Sequence, residues 1–229
     1  MALQSHAQPS PSSAWPLFGL TITTPRLVLR YVDDDLAAGL MQLAATDGVH
    51  DADFMPFSTP WTRFEPPVLQ QQGMQHYWRN RASLSATAWA LPFAVHDDGG
   101  LVGVQDLAAR DFRVTRNVST GSWLGRSHQG RGIGKEMRAA VLHLAFDALG
   151  AEVAHTSAFE DNPASQGVTR SLGYVENGWK IDDREGKAVR HLAFLLPRED
   201  WLTRRRDDIT VEGIDACLPL LVGDAQDAS

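Results

Sequence analysis

A chain of 229 residues with 43% hydrophobic and 21% charged residues has the make-up of a soluble globular protein, long enough for one domain with a proper core. Its formal net charge of −7 argues against non-specific nucleic-acid binding, mildly favours a cationic or amine partner, and requires any anion site to be locally basic. A single cysteine, Cys217, excludes an intrachain disulfide framework and fits a reducing compartment, where it reads as a buried small hydrophobe.

Residues 1–13 are rich in Ser, Pro, Gln and Ala and carry no lysine or arginine. They read as part of a disordered tail (residues 1–14), neither signal peptide nor membrane anchor. No apolar run approaches a membrane span, so the expectation is a cytoplasmic protein without membrane or nucleic-acid partners. Order is expected from Trp15. Leu20 to Val32 is β-rich, with Pro25 marking an edge or a bend, and Asp33 to Asp35 cap a helix with Leu36, Leu40 and Leu43 on one face. The prolines between His50 and Arg63 rule out a long helix, yet Phe54, Phe57 and Trp61 are too apolar for a solvated linker. Such a loop packs on the core or folds over a ligand. His50, Asp51 and Asp53 lack a second cluster that would complete a zinc set, so no metal is expected.

Val68 to Ser83 reads as a second helix. Trp89 to His96 and Leu101 to Leu107 form an antiparallel hairpin through Asp97-Asp98-Gly99-Gly100, with Asp106 at the end of its second strand. Arg110 to Asn117 is a polar connection, and Val118 to Leu124 is the fourth strand. A helix follows to about Leu149, with Ile133, Met137, Ala140, Val141, Leu144 and Ala148 at helical period. Ala151 to Phe159 is the fifth strand, and Tyr174 to Ile181 pairs with Val189 to Leu196 in a last hairpin. The order makes a mixed α/β (α+β) sheet domain. Pro197 to Asp208 is charged. The apolar tail Val211 to Leu221 packs on its own domain or, as the sharper alternative, makes a subunit contact, as in a homodimer.

Chemistry concentrates where the fourth strand meets its helix. Gly130, Gly132 and Gly134 alternate with Arg131 and Ile133, so the backbone can turn tightly and offer bare N–H groups at a helix N-terminus, a phosphate site. Arg126, Arg131, Lys135 and Arg138 add positive charge around the turn. Gln129 stands where a P-loop needs its first glycine and Glu136 where it needs Ser or Thr. Counted from Gly130, Lys135 occupies the last glycine of a dinucleotide fingerprint. Both common nucleotide loops fail.

Gln129-Gly130-Arg131-Gly132-Ile133-Gly134 instead resembles the Gln/Arg-x-x-Gly-x-Gly/Ala loop of the GNAT acyltransferases, which cradles the pyrophosphate of acetyl-CoA. Downstream, Asn162-Pro163-Ala164-Ser165 and Leu172-Gly173-Tyr174 resemble the family's Asn-x-x-Ser…Leu-Gly-Phe/Tyr segment, whose helix packs along the cofactor. By its own chemistry Asn162 is also a good N-cap and Pro163 fits the first helical position. Thr24-Pro25-Arg26-Leu27 with Leu29-Arg30 resembles the opening strand of the Rim-type (ribosomal-protein) N-acetyltransferases. The resemblance spans about Thr21 to Trp201, within a domain taken as 15–201 followed by an extension, 202–229.

That resemblance implies a mixed, mostly antiparallel sheet flanked by helices, with the fourth and fifth strands splayed. The pantetheine arm would pair with the backbone of Trp123 and Leu124, and CoA would touch Gln129 to Lys135, Asn162 and Ser165. It implies direct transfer of an acetyl group to a primary amine, small molecule or peptide N-terminus, with the loop from His50 to Arg63 bordering the acceptor pocket. The N–H of Leu124 would stabilise the oxyanion and Ser165 would protonate the thiolate, unless its hydroxyl only satisfies its own helix. The base departs from the Rim-type pattern, since Ser119 stands where many members carry glutamate. Candidates are His50, Asp51, Asp106 and His155. Lacking a dedicated carboxylate, the enzyme would suit α-amines better than lysines. Two alternatives stand: a succinyl-CoA donor held by Arg63 or His50, and a CoA-binding regulatory protein without turnover.

Overall fold

A computed structural model describes residues 10–223. Residues 1–9, most of the expected disordered tail, lie outside it. The tail's end is corrected, because Pro11–Ala14 closes one helical turn (α1) in which the Trp15 N–H returns to the Pro11 carbonyl at 2.9 Å. The strands are β1 Thr21–Thr23, β2 Val28–Tyr31, β3 Ala88–Asp97, β4 Gly100–Arg110, β5 Asn117–Leu124, β6 Val153–Phe159, β7 Val175–Arg184, β8 Lys187–Pro197 and β9 Thr210–Glu212. The longer helices are α2 Asp34–Asp47, α3 Val68–Ala82, α5 Ile133–His143, α6 Pro163–Ser171 and α8 Ile214–Val222, with short α4 Phe112–Thr115 and α7 Arg198–Leu202. Since Pro25 sits between β1 and β2, the fourth and fifth strands of the sequence reading are β5 and β6.

All the strands join one sheet in the order β7-β8-β6-β5-β4-β3-β2-β1-β9. Every pairing is antiparallel except β5 with β6, which is parallel. Alternation along the strands sorts side chains between two helical layers. Leu91, Phe93 and Val95 of β3 and Val118 and Leu124 of β5 join Ile133, Met137 and Val141 of α5 in the main core. Ala94, Val104 and Trp123 face Leu40, Met41 and Tyr77 of α2 and α3. α2 starts as its aspartates predict, with Asp33 Oδ1 accepting from the Leu36 N–H at 2.8 Å.

Three local expectations change. Arg110 to Asn117 is not a polar connection throughout, since α4 buries Phe112 completely against Trp89, ring centroids 5.6 Å apart. The helix after the glycine loop runs regularly to His143 and then widens into a π-turn, Leu144–Ala148. Asp106 lies inside β4, because that strand continues to Arg110 to pair with both neighbours. The C-terminal tail packs on its own domain: β9 adds an edge beside β1, and α8 buries Cys217 and Leu221 in the main core. No described helix is long and apolar enough to cross a membrane.

Candidate functional site

The parallel pair β5–β6 holds only from Asn117–Ser119 to Val153–His155. Beyond it the strands part and leave a gap. At the rim of β5 the Gly125 N–H donates to the Val102 carbonyl at 3.0 Å, and Leu124 faces Gly103. The alternation of an antiparallel ladder then turns the backbone groups of Trp123 and Gly121 toward β4, and those of Leu124 and Ser122 toward the gap. Two carbonyls on the gap side are already covered, Leu124 by the Gln129 amide at 3.1 Å and Thr120 by Thr156 Oγ1 at 3.1 Å. The N–H groups of Leu124 and Ser122 face the open edge. This corrects the expectation for Trp123: its backbone belongs to the β4 ladder, and Ser122 is the residue beside Leu124 whose N–H faces the gap.

The loop after β5 needs its glycines. Gly130 and Gly132 have φ of 72° and 79°, where a side chain is strained, and Gly132 is the N-cap of α5. Among the described residues, none of the amides from Gly130 to Lys135 donates a backbone hydrogen bond outside the helix. They form a bare N–H cluster at the positive end of α5. At Gly134 neither strain nor crowding requires glycine, since a Cβ there would meet Val168 at 3.5 Å and Leu124 at 3.9 Å in ordinary contact. Ile133 is buried in the core. The Gln129 side chain is engaged by the protein, donating to the carbonyls of Val49 (2.7 Å) and Leu124, so it shapes the loop.

Of the basic residues read around this turn, Arg126 pairs with Asp51, Arg131 lies 3.6 Å from Asp97, and Arg138 is buried on the sheet side of α5. Lys135 lines a cavity of about 450 Å³ with Arg26, Arg204 and Arg206. Sequence reasoning missed these three arginines as site residues, which come from the β1–β2 turn and the segment after α7. Arg26 holds the buried Glu136 at 2.6 Å. Burial alone would push the Glu136 carboxyl up, but hydrogen bonds from Thr24 and Arg26 hold it below the ordinary carboxylate range.

On α6, Asn162 caps the helix, its Oδ1 accepting from the Ser165 N–H at 3.1 Å. Ser165 is half-buried, and its hydroxyl makes no hydrogen bond among the described residues.

The opposite face of β4 and β5 carries a second cavity of about 380 Å³. Its walls include Phe57, Trp61, Tyr77 and Trp123, with Asp106 and Gly121 at the strand side. The loop from His50 to Arg63 therefore packs on the core and walls a cavity at once: Phe57, Trp61 and Trp123 form an aromatic row with centroids 5.4 and 5.6 Å apart. His50 is not part of that wall. Its ring nitrogens contact Thr62 Oγ1 at 2.6 Å and the Asp51 carbonyl at 2.8 Å, so it pins the loop. Arg63 is held by Glu185 at 2.8 Å on the tip of the β7–β8 hairpin. His155 faces Ser119 in the paired part of β5 and β6, before the gap opens. Burial lowers its basicity.

Asp106 is the unusual group. Its carboxyl makes no side-chain hydrogen bond among the described residues, and burial pushes its pKa up to about 7. Only a little of its surface opens to the cavity. A carboxyl of this kind exchanges protons near neutral pH. No group of three or more His, Cys, Asp or Glu side chains able to hold a metal occurs among the described residues.

A parted strand pair with bare amides at a helix start can accommodate an extended, phosphate-bearing ligand along the sheet edge. The acetyltransferase (GNAT) domain family matches residues 26–175, and the chain belongs to that family. Solved structures share its fold at low sequence identity. Mycobacterium smegmatis RimJ in complex with CoA-disulfide is 22% identical, with TM-score 0.65, over 81% of this chain and 89% of its own. RimL, a ribosomal L7/L12 α-N-protein acetyltransferase in complex with coenzyme A, is 17% identical, with TM-score 0.63, over 76% and 95%. A spermidine N-acetyltransferase SpeG chimera from Vibrio cholerae and hSSAT is 17% identical, with TM-score 0.62, over 78% and 99%.

Proposed function

We propose that the chain is an N-acetyltransferase that moves the acetyl group of acetyl-CoA directly to a primary amine whose body is apolar. The observation that carries this is the pair of sites on either side of β5: open amides on one face, and a raised carboxyl in an aromatic cavity on the other. CoA phosphates would lie on the amides of Gly130 to Lys135, and the cations of the larger cavity would take the nucleotide end. The pantetheine arm would follow the open edge of β5 at Leu124 and Ser122, past Asn162 and Ser165. A neutral amine in the aromatic cavity attacks the thioester carbon, the Leu124 N–H stabilises the oxyanion, and Asp106 takes the nitrogen's surplus proton. Ser165, partly open to solvent, relays a proton to the departing sulfur.

Asp106 supplies the carboxyl missing at Ser119, and with it the regulatory reading loses its main support. A succinyl donor would need a free cation near the thioester, whereas Arg63 is paired with Glu185 and His50 with Thr62. That favours acetyl. The test is thiol release from acetyl-CoA and succinyl-CoA against a panel of apolar and polar primary amines, with calorimetry of both donors. Acetyl-dependent release with an apolar amine is expected. No CoA binding at millimolar concentration refutes the proposal.

A further inference from the structure

Arg138, the sixth residue of α5, is 4% exposed and pairs with no carboxylate among the described residues. One Nη donates to Thr169 Oγ1 at 2.9 Å and the other to Ser122 Oγ at 3.2 Å, while its buried Nε has no partner. Burial pushes the guanidinium below its usual basicity. The other titratable group beside it, the Tyr174 phenol, is held protonated by burial. A lone buried cation is expensive, and an apolar side chain of similar size is often more stable. Among the described residues no anion offsets the charge, and only two neutral hydroxyls accept from it.

Strand geometry says where an anion would form during acetyl transfer. Ser122 and Leu124 turn their N–H groups into the gap, so a pantetheine arm entering from the phosphate loop passes Leu124 first and brings its thioester toward Ser122. Asp106 is the register partner of Gly121, one residue further on, and lies on the α3 face. Arg138 lies on the α5 face. Acid and cation thus flank one point of β5 from opposite sides. Ser122 and Thr169 each accept from Arg138 and keep their own hydrogen to donate.

We propose that Arg138, acting through the Ser122 and Thr169 hydroxyls, is the positioning residue that receives the negative charge of the leaving thiolate. The proposal rests on the acetyl-CoA reading above. As the C–N bond forms, the nitrogen's proton passes to Asp106. The C–S bond then breaks with its electron pair on sulfur, and the thiolate accepts the Ser122 hydrogen bond until a solvent proton arrives by way of Ser165.

The test reads the thiol of CoA bound to the unaltered protein, by ultraviolet thiolate absorbance against pH, with desulfo-CoA as the blank. The reference is the thiol of free CoA titrated in the same buffer, and burial alone would make the bound thiol a weaker acid than that. The expected result is a bound thiol at least tenfold more acidic than that of free CoA. An unchanged or weaker acid overturns the proposal while leaving the acetyl-CoA reading intact; failure of CoA to bind overturns that reading and the proposal together. Arg138→Met should return the thiol to its ordinary range and lower kcat about 100-fold, with little change in KM for the amine. Arg138→Lys should restore part of both. Ser122→Ala, a milder change, should weaken the thiol acidity in the same direction; if it has no effect, the hydroxyl relay is wrong.

Discussion

Asp106 on β4 and Gly121 on β5 are opposite each other in the ladder, and a methyl group on Gly121 would stand 3.8 Å from Asp106 Oδ2. That is ordinary van der Waals contact, so the carboxyl lies directly beside the open face of Gly121. It is the acidic group on the cavity side of the point where Ser122 opens to the gap. Asp106→Asn should lower kcat/KM by about 100-fold or more. In the unaltered enzyme the rate should rise with pH through about 7, the value to which burial raises this carboxyl. The variant should lose that limb and keep only the ionisation of the amine. A pH profile that is the same in both would remove Asp106 from the mechanism.

The same carboxyl fixes a stability signature. Its pKa in the fold, about 7, lies above its ordinary 3.8, so the folded state binds the extra proton between those values. Stability from this group is fully present below pH 4 and is lost as pH rises through 7. Ionising it in place costs about 4 kcal/mol. Asp106→Asn should therefore be more stable than the parent at pH 8 and close to it at pH 4, as thermal melts at both pH values would show.

The glycine loop makes a sharper prediction for binding than for stability. Nothing lies within 4 Å of a Cβ placed on Gly130, yet its φ is 72°. Gly130→Ala pays only a backbone penalty of about 1–2 kcal/mol, and it does so where, on the proposed reading, the amides would face the phosphates. Calorimetry should show CoA affinity reduced about tenfold, with acetyl-pantetheine, which has no phosphates at this loop, unaffected as a donor at saturating concentration.

The local elements were legible in the sequence because their causes are local. Glycine spacing predicted the bare amides, Asn162 and Pro163 predicted the α6 cap, and Asp33 predicted the start of α2. Asp106 stayed one weak candidate among several, because its environment depends on strand register and on aromatic residues from a loop some 50 positions earlier. Arg138 read as loop charge. One residue past Met137 in a helix turns about 100°, and only the packing of α5 on the sheet shows that this turn ends inside the protein. Arg204 and Arg206 lay in a charged segment whose return to the α5 N-terminus no local pattern reveals.

Those two arginines carry the last prediction. Together with Arg26 and Lys135 they line the cavity beside Gly132, while Arg206 is also held by Asp208 at 2.8 Å. Arg204 packs on Gly173 and forms no ion pair among the described residues. If the nucleotide end of CoA lies there, Arg204→Ala should weaken CoA binding about five- to tenfold, consistent with the loss of one charge-assisted contact. The loss should shrink as salt rises, since exposed charge pairs are screened. A donor truncated to acetyl-pantetheine should not distinguish the variant from the parent. Equal loss with both donors would mean that Arg204 only supports α6 through Gly173, and would move the nucleotide elsewhere.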